Sequence, residues 1–309
     1  MRPRELQLHW AFSSAKADSC TCAAFLNRHT CRSRAGPLGC AQFKSSINWF
    51  SMRFVSYLIW PLIFVGQLLA TGLLAWHLLA QINFAYTTGY KLLGLDTHIA
   101  KFAPRNRYIH GFEFTRPKDH WDLFAQITHA VQNNGEGLEE IHFTLPNDTK
   151  IPLMHNAEII HLQDVSHLIH TFYLVGIAGF FMWIISLAIA YRQKLSFPSL
   201  RNIVLGFCGG IFIISAIVLS LGATKVFYWL HTKVFPEGHQ WFFYYEDSLM
   251  TTLMKAPDIF AFIATLLLVV LMIIWGLSTL GMARLFSKNA VVEQAAITTT
   301  NNKNRKKRN

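Results

Sequence analysis

Four long apolar runs decide what this chain can be. They cover about Phe54 to Leu79, Leu168 to Tyr191, Ile203 to Phe227 and Ile259 to Leu280, and none has a charged residue at its middle. Crossing the hydrocarbon of a bilayer takes about 20 mostly apolar residues in a helix. Backbone at that depth has no water to bond, so it must satisfy its own polar groups. The expected fold class is therefore a membrane protein, mainly α, with four transmembrane helices. Composition agrees: 15% of the 309 residues are charged, against about 25% in soluble domains.

The formal net charge of +11 raises the question of nucleic acid, but its placement answers it. Basic residues gather in the first fifty positions, in the link from Arg192 to Arg201, and after Arg284. These are the flanks of apolar runs, where lysine and arginine hold a segment on the cytoplasmic face and meet anionic lipid. There is no basic surface interleaved with aromatics, so the partners expected are membrane lipids and no nucleic acid. Arg192, Lys194 and Arg201 put the link between helices two and three in the cytoplasm. Arg284, Lys288 and the tail from Lys303 to Arg308 do the same for the C-terminus. Both termini are then cytoplasmic, and residues 81–167 and 228–257 face outward.

Three regions follow. Residues 1–51 are basic, lack periodicity and hold four of the five cysteines; they read as a disordered leader or a mis-assigned start ahead of Met52. Residues 52–285 form the four-helix membrane domain, with 192–201 as its cytoplasmic loop, and 286–309 form a basic cytoplasmic tail. Cys20, Cys22, Cys31 and Cys40 with His29 lack the paired knuckles of a zinc site. No metal and no cofactor is expected.

The first outer segment is long enough for a small α+β extracytoplasmic domain between helices one and two. Asn83 to Leu95 reads as an amphipathic continuation of helix one. Trp121 to Val131 reads as a helix with Leu123, Phe124, Ile127 and Val131 on one face. Glu140 to Leu145 and Lys150 to Met154 flank Pro146-Asn147-Asp148 as a hairpin.

Eleven of the fourteen histidines lie between His98 and His239. His98, His110, His120, His129, His142 and His155 need no role beyond the surface or the core. Glu158, His161 and Asp164 are spaced by three, so on a helix each neighbours the next. A carboxylate beside an imidazole fixes its tautomer and raises its basicity, as a general base requires. The bland alternative is a polar helix end at headgroup depth. His167 and His170 continue the step, but a step of three drifts round a helix and cannot converge on one ion. In the second outer segment His231, His239 and Trp241 lie among aromatics that suit the interfacial belt. His231 nonetheless comes to the same side and depth as His161, where a substrate would be a lipid or a lipidated protein.

The pattern Glu158-x-x-His161-Leu162-x-Asp164-Val165, then Leu230-His231-x-x-x-Phe235, Trp241, Asp247-Ser248-Leu249 and Pro257-x-x-Phe260 resembles the lipoprotein intramolecular transacylase (Lit) family. The resemblance runs from about Met52 to Arg284. It implies an acyltransferase in the cytoplasmic (inner) membrane of a bacterium, with diacylglyceryl-modified lipoproteins as substrate. The implied reaction moves the sn-2 acyl chain to the α-amino group of the N-terminal cysteine. It implies His161 and His231 as the catalytic histidines, one taking the amine proton and one protonating the glycerol oxygen, with Asp164 orienting His161. Glu158, His239, Trp241 and Asp247 are supporting or alternative residues; His239 rivals His231 because Pro236 to His239 departs from the family pattern. The alternative is a non-enzymatic envelope protein that presents its outer domain. Transport is disfavoured, because transporters break helices or place ionisable groups at mid-membrane. Whether His161 and His231 approach each other over a lipid-accessible cleft separates the first two readings.

Overall fold

The computed structural model of the chain describes the backbone of residues 37–306 and the side chains of 58–287 apart from Ala223. The expected leader and its cysteines fall outside the described side chains. The architecture below is that of residues 50–309.

Four helices are long and apolar enough to cross a membrane: Leu58–Gln81, Asn156–Arg192, Leu200–Leu221 and Asp258–Ser287. The first is part of α1 (Pro37–Gln81), which carries Pro61 in its interior rather than in a first turn. Helix one does not continue into the outer segment as expected. Asn83, Phe84 and Ala85 take φ of +50°, +52° and +52°, a left-handed run that side chains other than Asn or Gly rarely adopt. The chain then turns into α2 (Tyr86–Leu92) and α3 (Leu95–Phe102), hinged at Gly94 with φ +63°. Helix α4 (Pro117–Gln132) starts with Pro at its first turn and with Asp119 accepting from the Arg116 N–H at 2.8 Å. Its predicted apolar face, Leu123, Phe124, Ile127 and Val131, is buried.

The predicted hairpin is present. Strand β1 (His142–Thr144) pairs antiparallel with β2 (Lys150–Pro152) in the register Phe143 to Ile151, and the turn includes Asp148 at φ +61°. The chain continues through α5 (Asn156–Arg192), α6 (Leu200–Leu221), α7 (Ala223–Val234), α8 (Leu249–Met254) and α9 (Asp258–Lys306). The third apolar run therefore stops at Leu221 rather than reaching Phe227: Gly222, at φ +89°, breaks it.

The largest core lies outside the four spans, where α2, α3, α4, the hairpin and α8 bury Phe112, Leu123, Phe143, Leu153, Leu249 and Leu253. The Tyr86 ring stacks on Phe124 at 3.9 Å, and its hydroxyl donates to the Leu253 carbonyl at 2.7 Å. A polar chain threads this core: Tyr90 donates to His120 Nδ1 (2.9 Å), His120 Nε2 donates to Thr115 Oγ1 (2.7 Å), and Thr115 donates to the Phe112 carbonyl (2.5 Å). The chain is satisfied only with a neutral imidazole. Burial pushes His120 down to about 4 and the Tyr90 phenol up to about 12.

Lipid offers no hydrophobic drive between helices, so close backbone approach and buried polar bonds hold them instead. Helices α1 and α5 approach at glycines: a Cβ on Gly179 would lie 2.5 Å from Leu69 Cβ, and one on Gly176 2.6 Å from Leu73 Cβ. Gln67, fully buried, ties α1 to α9 by donating to Ser278 Oγ (2.7 Å) and Thr279 Oγ1 (2.8 Å).

Gly179→Leu overpacks the α1–α5 crossing and is expected to destabilise by about 1–3 kcal/mol, read as a lowered unfolding temperature in detergent. His120 gives a pH test. Its native pKa of about 4 lies below the unfolded 6.5, so the unfolded chain takes up a proton that the folded chain refuses. Stability is full above pH 6.5 and falls as pH drops toward 4, by about 3 kcal/mol at the limit. His120→Gln flattens that slope in a pH series of unfolding temperatures.

Candidate functional site

Helix α5 has 37 residues. At about 1.5 Å per residue it is far longer than the about 30 Å of hydrocarbon, so its first turns stand among the outer domain. That start is set by a reciprocal cap. The His155 N–H donates to Glu158 Oε2 at 2.6 Å, and His155 Nδ1 donates to the same oxygen at 3.1 Å. Glu158 Oε1 accepts from Ser248 Oγ, which belongs to the second outer segment. Glu158 is 1% exposed. Its carboxylate is thus a tie between the two segments, with both oxygens engaged.

One turn further along α5, His161 faces the second segment. Its ring lies 5.0 Å from Phe235 and 6.0 Å from Phe243. Its Nδ1 is enclosed and has no hydrogen-bond partner among the described residues. On α7, His231 has its ring 4.0 Å from Phe227, 4.8 Å from Trp241 and 5.3 Å from Phe235. The two histidines therefore flank one aromatic ring, Phe235, near enough for a charge on His231 to be felt at His161. His231 Nδ1 donates to the Phe227 carbonyl at 2.9 Å. That bond sets the tautomer and leaves Nε2 as a free acceptor. Trp241 completes the box, packing on Tyr228 at 5.2 Å.

Asp164 has another partner than the one its spacing suggests. Its Oδ2 accepts from His239 Nδ1 at 2.6 Å, and its hydrogen bond goes to that ring rather than to His161. His239 is half exposed and serves as the tether of the loop that carries Phe235 and Phe243. Asp247 makes an ion pair with Arg107 Nε at 3.3 Å, and the Arg107 N–H donates to the Glu246 carbonyl at 2.8 Å. His167 and His170 are exposed on α5, and His167 Nε2 lies 3.2 Å from Gln163 Nε2. Among the described residues no group of three or more side chains is placed to hold a metal ion. Phe243 and Arg107 are site neighbours that sequence reading passed over. Phe243 sits among equally aromatic neighbours, and Arg107 lies in a stretch without periodicity.

Ser248→Ala removes both the donor to a buried carboxylate and the N-cap of α8, whose Thr251 N–H bonds Ser248 Oγ at 2.9 Å. A loss of about 2 kcal/mol or more is expected, measured by thermal unfolding, with Ser248→Thr recovering part of it.

Comparison with known proteins bears on the same stretch. The family model "Lipoprotein intramolecular transacylase Lit" matches residues 138–256, which hold the start of α5, both flanking histidines and Ser248. Among solved structures, a single-substitution variant of the membrane integral lipoprotein intramolecular transacylase Lit from Bacillus cereus is similar. The match has a TM-score of 0.56 at 14% identity, covering 82% of this chain and 99% of that one. No curated protein sequence matches the chain. With four helices long and apolar enough to cross a membrane, the chain has a fold similar to that of a solved Lit, and over residues 138–256 its sequence matches the Lit family model.

Proposed function

We propose that the chain is a membrane-embedded acyltransferase acting on diacylglyceryl-modified lipoproteins. It moves the sn-2 acyl chain to the α-amino group of the N-terminal cysteine. One observation carries this reading: His161 and His231, from segments separated by two membrane spans, pack on the same Phe235 ring at 5.0 and 5.3 Å within the family-matched stretch.

The side chains support a division of labour. His231 Nε2, left free by the bond from Nδ1 to Phe227, takes the proton from the attacking amine. The amine nitrogen bonds to the sn-2 carbonyl carbon, and the ester electrons move onto the carbonyl oxygen. The imidazole of His161 donates a hydrogen bond to that oxygen as charge builds. The tetrahedral centre then collapses, the bond to the glycerol oxygen breaks, and His231 returns its proton there. No water is consumed, and the product is an N-acyl, S-monoacylglyceryl cysteine. Asp164 acts through His239, holding the loop that presents Phe235. The basic link and tail support an extracytoplasmic site in a bacterial cytoplasmic membrane, with both termini cytoplasmic.

Mass spectrometry of lipoprotein N-terminal peptides tests this in cells expressing the intact chain or its variants. The intact chain is expected to yield the N-acyl, lyso-glyceryl form. His161→Ala and His231→Ala are expected to lower it by about 10²–10⁴-fold while still inserting in the membrane, and His239→Ala to lower it less. Spectra that match between the intact chain and the two histidine variants would overturn the reading.

A further inference from the structure

We propose that a cavity beside His161 seats the polypeptide that follows the lipidated cysteine and admits only small side chains there. This rests on the transacylase reading above. The cavity has a volume of about 240 Å³ and is lined by Tyr108, His155, Ala157, Gln240, Phe243 and Asp247, with Glu158 at its base. Phe243 is its common wall with the candidate site, since the same ring lies 6.0 Å from His161.

Direction along α5 identifies what enters. The helix runs from the outer domain into the membrane, so Ala157 and Glu158, one turn before His161, lie farther from the hydrocarbon than His161 does. A lipoprotein keeps its acyl chains in the bilayer and sends its polypeptide outward. With the reacting ester beside His161, the chain after the cysteine leaves toward this cavity. The volume falls below the about 300–1,000 Å³ of pockets for drug-sized ligands, which leaves room for one or two small side chains.

The lining has a matching polar group. Asp247 Oδ1 is enclosed, and its contact is the ion pair with Arg107 Nε at 3.3 Å, which lacks hydrogen-bond geometry. A carboxylate oxygen so paired still has lone-pair capacity for a hydrogen bond. The main-chain N–H of an extended peptide supplies one. Glu158 cannot compete for it, since its oxygens already accept from His155 and Ser248. Tyr108, whose ring stands 5.3 Å from His155, closes the outer side.

Purified full-length chain in vesicles would be given synthetic dipalmitoylglyceryl-cysteinyl peptides with Gly, Ser, Leu or Trp after the cysteine. Turnover per unit substrate, kcat/KM, is expected to fall by about ten-fold or more from Ser to Trp. Ala157→Phe, which fills the cavity, should extend the discrimination so that Ser falls behind Gly. Transacylation that treats Ser and Trp alike overturns this proposal and leaves the transacylase reading standing. Absence of turnover with every peptide overturns that reading and this proposal with it.

Discussion

The carboxylate of Glu158 holds the outer half of this protein in one piece. It accepts three hydrogen bonds, two from His155 and one from Ser248, at 1% exposure. A buried charge is tolerated only when its partners replace the water it lost. Here one of those partners, Ser248, lies 90 residues from Glu158 in the chain. The bonds from His155 fix where α5 begins and therefore which way its next turn faces. The bond from Ser248, the N-cap of α8, fixes where that helix begins within the second segment. His161, one turn along α5, and Phe243, five residues before Ser248, meet because both ends of this tie are set.

The membrane-embedded side is held much less tightly, and unevenly. Helices α1, α5 and α9 share glycine crossings and the Gln67 bonds. Helix α6, by contrast, has none of its most apolar window buried against the protein, while the first span has a third. Its aromatic contact with the bundle is the Phe207 ring stacked on Trp275 at 4.2 Å. Lipid therefore forms most of its surroundings. His231 sits on α7, directly after α6, so its position relies on the far end of the segment: Phe235 against His161, and His239 bonded to Asp164. In the proposed reaction this lightly packed helix leaves the substrate's acyl chains a route to the histidines from within the lipid.

Much of the fold was legible because membranes and turns punish few-residue errors. The apolar runs, the buried face of α4 and the hairpin about Pro146 to Asp148 all follow from periodicity and turn chemistry. What escaped depended on backbone strain or on contacts between distant residues. The left-handed run Asn83-Phe84-Ala85 has no glycine to announce it, and Phe84 packs within it against the bundle. The break at Gly222 was hidden inside an apolar stretch. At the site, the spacing of Glu158, His161 and Asp164 was real, but spacing says who is adjacent along a helix, not who bonds. Asp164 looks toward His161 in sequence and bonds His239 across 75 residues.

The histidines make the same point chemically, and they sort by surroundings rather than by motif. His120 spends both ring nitrogens inside a buried chain from Tyr90 to Phe112. His155 and His239 each give Nδ1 to a carboxylate, a bond that holds a segment in place. His161 and His231 differ from these. Both are walled by aromatic rings, and neither gives Nδ1 to a carboxylate: His231 spends it on a carbonyl of its own helix, and His161 on no described residue. An imidazole so placed keeps a nitrogen for something that is not protein. In an apolar wall of Phe227, Phe235, Phe243 and Trp241, a hydrogen bond or proton transfer to that nitrogen meets little competition from water, which strengthens it. Both rings pack on Phe235, at 5.0 and 5.3 Å, and in the proposed reaction these are the two imidazoles that meet the amine and the ester.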